Sequence, residues 1–335
     1  MESQASYSRV DKSTHMNWVL SALLGLFFFG GGNYLLKDFQ GSVALKKLLG
    51  SLGYLIFLIL MTLFHIISLA LQKKSNSLCY PGSIYQKHHG FTPGFAIGIS
   101  GGFIMFAAQV FLLTSWDIDP SAAGIVLLML VANAPITSIL AYFIYKEKFT
   151  WIQILGMFLA LSGVAALGLI PLLLTTQSTT ETQQGHWTSY LFAFLTIIAY
   201  SIKNINSRSM QVNGLDIYTA GMLNSLGEVL LGLLLFIYYL IFESSLDLDL
   251  LLLYAIIGAT LIAFSQYFIN QAIMTGNIGV VITLINLNGI LFILLDLLFH
   301  QVFPDLLTFF LSLFVMFGVI VMLFGDQVLS KSKSS

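Results

Sequence analysis

Charge is scarce in this chain. Of its 335 residues, 9% are charged, 15 acidic and 14 basic, and the net charge is -1. Soluble domains carry about 25% charged residues. So few ionic side chains cannot solvate a globule of this size, which excludes a soluble enzyme. No basic excess is present to meet a polyanion, which excludes a nucleic-acid partner. Cysteine occurs once, at Cys79, so no internal disulfide can form. The chain has no G-x-x-x-x-G-K-[ST] phosphate loop and no metal-ligand spacing. ATP-driven pumping, a metal and a cofactor are therefore not expected. Catalysis is not expected either, because paired catalytic groups at helical spacing are missing.

What fills the chain is apolar: 57% of the residues are hydrophobic, and they come in long runs. A bilayer core takes about 20 apolar residues per helix. Ten stretches qualify: 17–36, 48–71, 94–115, 121–143, 151–174, 188–207, 217–241, 250–273, 278–299 and 305–325. They are continuous rather than alternating, which excludes a membrane β-barrel. The expected fold is an all-α polytopic protein with ten transmembrane helices in a lipid bilayer. The first run passes through Gly30-Gly31-Gly32-Asn33 with no small-x-small cleavage site, so it reads as a span rather than a leader. Trp18, Trp116, Trp151 and Trp187 fall at span ends, where interfacial indoles belong. Pro93, Pro120 and Pro304 precede spans, and Pro135 alone lies deep inside one.

The cations give an orientation. With the N-terminus in the cytosol, the inner side holds Arg9, Lys12, Lys73, Lys74, Lys87, Lys146, Lys148, Lys203, Arg208, Lys331 and Lys333. The outer side holds Lys37, Lys46 and Lys47 alongside Asp117, Asp119, Glu243, Asp247 and Asp249. This positive-inside bias places both termini, 1–16 and 326–335, in the cytosol. The C-terminal Lys331-Ser332-Lys333-Ser334-Ser335 matches a K-x-K-x-x retrieval signal. In a eukaryote it would point to the endoplasmic reticulum or Golgi; its plain reading is a solvated basic tail.

The stretch 175–187 is the most polar between spans and reads as a flexible linker. It divides the spans into 17–174 and 188–325, five and five. An odd number per half forces the second half to enter the membrane from the opposite side, the inverted repeat known from transporters. Asn33 then pairs with Asn204, Gly50 with Gly221, Gly124 with Gly279, Asn133 with Asn288 and Gly163 with Gly318.

Three segments carry a family resemblance. AYFIYKEKFTWIQILGMFLALSGVAAL (141–167) has a helix end, a basic-Glu-basic turn (Lys146, Glu147, Lys148), an aromatic and a glycine-spaced span. DPSAAGIVLLMLVANAPITSIL has a small-residue entry and a central proline, and IIAYSIKNINSRSMQVNGLDIYTAGMLNSLGEVLLGLL (197–234) looks like the start of a second repeat. Together they resemble the EamA family of the drug/metabolite transporter superfamily, related to nucleotide-sugar and triose-phosphate carriers. The departures are the insertion 72–93 and the second-half turn Phe299–Pro304, which lacks the charges of the first. The resemblance implies ten helices in inverted repeats, a central solute cavity and alternating access without ATP.

Ionisable groups inside spans usually face a cavity or a partner. Glu228, near the middle of the seventh span, reads as a solute or proton-coupling carboxylate, or as a protonated acid bonded to a neighbouring helix. Asn224 lies four residues earlier on its face. Lys203 reads as an anion ligand or a snorkelling lysine, with Asn204 beside it, and Arg208 as a positive-inside anchor. Asn133 and Asn288 read as cavity residues or interhelical bonding partners. Asn286, two residues from Asn288, lies on roughly the opposite face. Gln266 and Asn270 form a polar stripe one turn apart. Asp296 and Tyr34 mark an outer gate, with Asn33 beside Tyr34. His65 reads as a core histidine, and His88 and His89 as solvated. Gly94, Gly98 and Gly102 allow close helix approach, within the bundle or in a homodimer. The expected function is secondary transport of a small polar solute. A nucleotide-sugar or phosphate-ester antiporter is the alternative within transport, and a non-transporting scaffold or receptor the alternative outside it.

Overall fold

The computed structural model describes residues 12–37, 42–71, 93–120, 126, 129–147, 149–174, 180–213, 215, 217–242, 250–301 and 306–332. Cys79, Lys73, Lys74, Lys87, His88 and His89 of the insertion, residues 175–179, and Lys148 and Lys333 lie outside them, as do the side chains of His65, Asp296 and Lys331. Among the described residues all regular structure is helical, with no strand. The helices are α1 (Lys12–Lys37), α2 (Val43–Leu71), α3 (Pro93–Ile118), α4 (Asn133–Tyr145), α5 (Trp151–Leu174), α6 (Thr180–Val212), α7 (Ile217–Phe242), α8 (Leu250–Thr275), α9 (Ile278–Ile285), α10 (Asn288–His300) and α11 (Leu306–Ser332).

Six of these are long and apolar enough to cross a membrane: Trp18–Lys37, Val43–Leu63, Gly94–Ile118, Trp187–Val212, Ile217–Tyr238 and Ala255–Thr275. Shorter apolar helices run through Trp151–Gly163, Ile278–Leu291 and Phe309–Met322. A helix satisfies its own backbone, the requirement for crossing lipid. The side-chain distribution suits a multi-pass membrane protein. Phe143, Phe158, Leu298 and Phe310 point outward, while Lys47, Lys203, Asn133 and Glu228 are buried.

Two of the sequence-read spans are interrupted. The fourth has a 3-10 turn at Leu130–Ala132 and resumes as α4 at Asn133, with Pro135 in its first turn. The ninth breaks at Asn286 and Leu287, where Leu287 N–H bonds back three residues to Leu284 O, and resumes as α10 at Asn288. α4 and α10 each run 13 residues and each begins on asparagine. The residue following each, Lys146 and Gln301, has positive φ, 57° and 54°.

Helix crossings are made by glycine. A Cβ on Gly102 would meet the α7 backbone at Gly227 and Glu228; Gly32 abuts Gly258, and Gly156 abuts Gly318. These are the α3–α7, α1–α8 and α5–α11 crossings, where small residues let backbones approach. Gly94 and Gly98 face Leu215 and Leu223, so the glycine stripe of α3 packs inside the bundle. α1 lies along α8, α3 against α6 and α7, α2 against α7 and α8, α4 against α6 and α9, and α1 also against α9 and α10.

The starts of α2 and α6 and the setting of Trp116 differ from the sequence reading. α2 begins at Val43 and so takes Lys46 and Lys47 into the helix. α6 begins at Thr180, inside the stretch read as linker. Trp116 is buried rather than interfacial, because the end of α3 is clamped to α6 by the Ser115–Ser189 hydroxyl pair at 2.9 Å.

Candidate functional site

Three buried polar clusters lie in the bundle. The first joins α2, α3 and α7. Lys47 Nζ donates to Glu228 Oε2 at 2.6 Å, with both side chains about 1% exposed. It also donates to Gln109 Oε1 and sits over the Phe106 ring, 4.3 Å from its centroid. Gln109 Nε2 donates to Tyr54 Oη at 3.2 Å. Glu228 Oε1 has no hydrogen-bond partner among the described residues. Hydropathy starts the second span just after Lys47, which is why Lys47 is absent from the expected set; Tyr54 and Gln109 lie inside spans and are uncharged, so nothing in the sequence singles them out. The signal that finds Lys47 is the rule that a buried carboxylate needs a cation.

The second cluster lies between α6 and α8. Lys203 Nζ donates to Gln266 Oε1 at 2.8 Å and to Asn270 Oδ1 at 2.9 Å. Ser207 Oγ also donates to Asn270 Oδ1, at 3.0 Å. The third surrounds the start of α4. Asn133 Oδ1 accepts from Thr137 Oγ1 at 2.7 Å, Ser201 Oγ at 2.9 Å and Asn204 Nδ2 at 3.3 Å.

The second and third clusters meet at a small cavity of about 20 Å³, lined by Phe29, Leu130, Asn133, Tyr200, Asn204, Gln266, Ile269, Ile282, Ile285 and Asn286. That is the volume of about one water molecule. The fourth span passes the cavity as its 3-10 turn and the first residue of α4, the ninth as α9 and its break. Broken backbone at membrane depth is tolerated where it is buried in protein or lines a cavity. Tyr200 stands edge-on to Phe29, ring centroids 6.1 Å apart, and its buried hydroxyl has no hydrogen-bond partner among the described residues.

The fold has solved counterparts. A protein crystal structure matches it with a TM-score of 0.61 and 15% identity, covering 92% of this chain and 96% of that one. In all, 27 solved-structure chains match. No family model and no curated protein matches the sequence. At that identity the likeness speaks for the fold.

Of the expected site residues, Asn133, Asn204 and Gln266 line the cavity, and Lys203 and Asn270 stand directly behind Gln266. Asn288 does not line it. It is fully buried against Gly30 of α1, neither amide atom has a partner among the described residues, and Asn286 takes the cavity wall instead. Asn224 is also away from the cavity; its Oδ1 and that of Asn206 converge on Gly101 of α3. Glu228 belongs to the Lys47 cluster. At the end of the bundle formed by the last residues of α1 and α10, Tyr34 Oη donates to Leu295 O at 3.4 Å and its ring packs on Phe299, next to Asp296.

The opposite end is tied by a second ion pair that the sequence did not disclose. Lys146, in the left-handed conformation, closes α4 and turns the chain. Glu147 Oε1 then meets Arg208 Nη2 at 3.0 Å, while Glu147 Oε2 accepts from Ile278 N–H at 3.4 Å. Arg208 Nη1 donates to Gln211 Oε1 and to the carbonyls of Ile273 and Met274. Burial pushes the Glu147 carboxyl above its ordinary range, and the Arg208 guanidinium opposes that shift. One arginine thus binds the α4–α5 turn, α6 and the α8–α9 corner.

Proposed function

We propose that the chain is a secondary transporter of a small polar solute, working by alternating access between two inverted five-helix halves, here in an occluded conformation. The observation that carries this reading is the pair of interrupted spans. α4 and α10 match in length, in their starting asparagine and in the positive-φ residue that follows, and the breaks before them abut one amide-lined cavity. Discontinuous helices in corresponding positions of two halves are the structural pointer to a transporter's binding site.

The helix neighbours support it further. Exchanging each span with the one five places on turns α1–α8 into α6–α3, α3–α7 into α8–α2, and α4–α6 into the contact of α9 and α10 with α1. Every one of these contacts is present. The small cavity among buried residues and the ties at both ends suit an occluded state, with Arg208–Glu147 on the cytosolic side under the positive-inside orientation. The sequence resemblance to the drug/metabolite transporter superfamily supports this assignment. A nucleotide-sugar or phosphate-ester cargo has less support: at the bundle centre Lys47 is neutralised by Glu228, which leaves Lys203. A scaffold with a dead centre has less support too, because this centre is polar.

The test is to incubate proteoliposomes in deproteinised cell extract and read the lumen by mass spectrometry. Wild type should accumulate at least one solute that protein-free liposomes do not. Glu228→Gln should reduce that accumulation about tenfold or more. The Lys47→Gln/Glu228→Gln double variant, which keeps charge balance, guards against simple misfolding. No accumulated solute with folded protein overturns the reading.

A further inference from the structure

Lys203 differs from Lys47 and Glu228, which pair with each other. Its residue is 1% exposed, and its two acceptors, Gln266 Oε1 and Asn270 Oδ1, are neutral amide oxygens. An ammonium carries three donors, and the third finds no acceptor among the described residues. No carboxylate lies within ion-pair distance of it there either; the buried Glu228 is committed to Lys47. Leaving a buried charge without a counter-ion is among the most unfavourable arrangements in a low-dielectric interior. Lys47, Glu228 and Lys203 together leave one positive charge over.

Gln266 connects this charge to the cavity. It lines the wall and at the same time gives its amide oxygen to Lys203. An amide oxygen and a carboxylate oxygen are alike in size and accepting geometry, so Gln266 Oε1 occupies the position that a ligand carboxylate would take on this ammonium. Asn133, first residue of α4, lines the same cavity. The peptide N–H groups of a helix's first turn favour an anion in front of them.

We infer that the transported solute carries a single negative charge, a small monocarboxylate, and that Lys203 is its counter-ion, with Gln266 holding the place until the solute arrives. One cation suits one charge and one carboxylate, not a dianionic phosphate ester. The inference rests on the transporter reading above and adds the substrate class.

The experiment is thermal unfolding of the detergent-purified full chain with acetate, pyruvate or benzoate, against glycerol 3-phosphate, choline and glucose at matched ionic strength. At least one monocarboxylate should raise the midpoint by about 2 °C or more, above any shift from the other three. Lys203→Gln should abolish the shift. Gln266→Glu should abolish it too, because the new carboxylate neutralises Lys203 internally, and should raise the solute-free midpoint. That second variant keeps the test valid if Lys203→Gln folds poorly. No monocarboxylate shift, a shift that persists in both variants, or a larger shift with glycerol 3-phosphate, choline or glucose overturns the inference. A shift with one of those three leaves the transporter reading standing. Absence of any shift together with absence of accumulation in proteoliposomes removes both.

Discussion

Lys47 and Glu228 are 181 positions apart in the chain and 2.6 Å apart in the bundle. The pair lies between α2 and α7, two helices that exchange with each other under the proposed repeat. It joins a cation of the first proposed half to an anion of the second. Any motion that separates α2 from α7 must break or carry this bond, which would couple the pair to the proposed access cycle.

The pair's energetics separate structure from function. Removing one partner strands the other, at a cost of about 3–5 kcal/mol, whereas replacing both with apolar residues of similar volume is often neutral or stabilising. Lys47→Met and Glu228→Leu should each lower the unfolding midpoint sharply, and the double variant should recover most of the loss. Solute accumulation should stay low in the double variant. Recovery of both stability and accumulation would remove the pair from the transport cycle.

The glycines of the crossings make a cleaner packing test. A Cβ on Gly102 would collide with the Asn224 carbonyl and the Gly227 and Glu228 backbone, whereas one on Gly31 meets nothing within 4 Å. Gly102→Ala should destabilise by about 1–3 kcal/mol, the usual penalty of overpacking, and should move Glu228 relative to Lys47. Gly31→Ala should stabilise by up to about 1 kcal/mol through helix propensity. Equal midpoints for the two variants would contradict the α3–α7 crossing described above.

The apolar runs, and with them the helical character and the six helices long enough to cross a membrane, are readable because apolar length is a one-dimensional property. The break before α4 was half readable, since Pro135 removes a donor just inside it. The break at Asn286 and Leu287 was not. It uses no proline, only the poor helix formers Asn286, Asn288 and Gly289, and such residues also occur in unbroken helices. Lys47 was misplaced for a different reason. A window that averages hydropathy ends a span at a lysine, and the Glu228 that allows this lysine inside belongs to another helix. Asn288 and Asn286 could be told to face apart by spacing, but which of them faces the cavity depends on where the helix breaks.

At the Arg208 end, pH should have a readable sign. The folded-state pKa of Glu147 is raised above its unfolded value of about 4.3. Its contribution to stability is therefore fully present below that value and is lost as pH rises through the raised folded pKa. Glu147→Gln should flatten this part of the profile, so the difference in unfolding midpoint between wild type and variant should shrink or invert as pH rises from about 4. A wild-type advantage that grows with pH would show that the Arg208 attraction outweighs burial.

Asn133 offers the most local test of the cavity. Its Oδ1 gathers Thr137, Ser201 and Asn204, which fixes where α4 restarts beside α6. Asn133→Ala leaves those donors facing a buried space, and stranding a buried polar group costs about 1–3 kcal/mol. Thr137 and Ser201 can turn their hydroxyls to backbone carbonyls; Ser201 already lies 2.9 Å from Ile197 O. Asn204 has no such escape, so the loss should fall mainly on it. The Asn133→Ala/Asn204→Leu double variant should therefore be less destabilised than the sum of the singles, a coupling measurable by a double-mutant cycle. Because both residues line the cavity, accumulation should be low in all three variants even where stability recovers. Strict additivity in the cycle would mean that the Asn133–Asn204 bond does not hold the interrupted span in place.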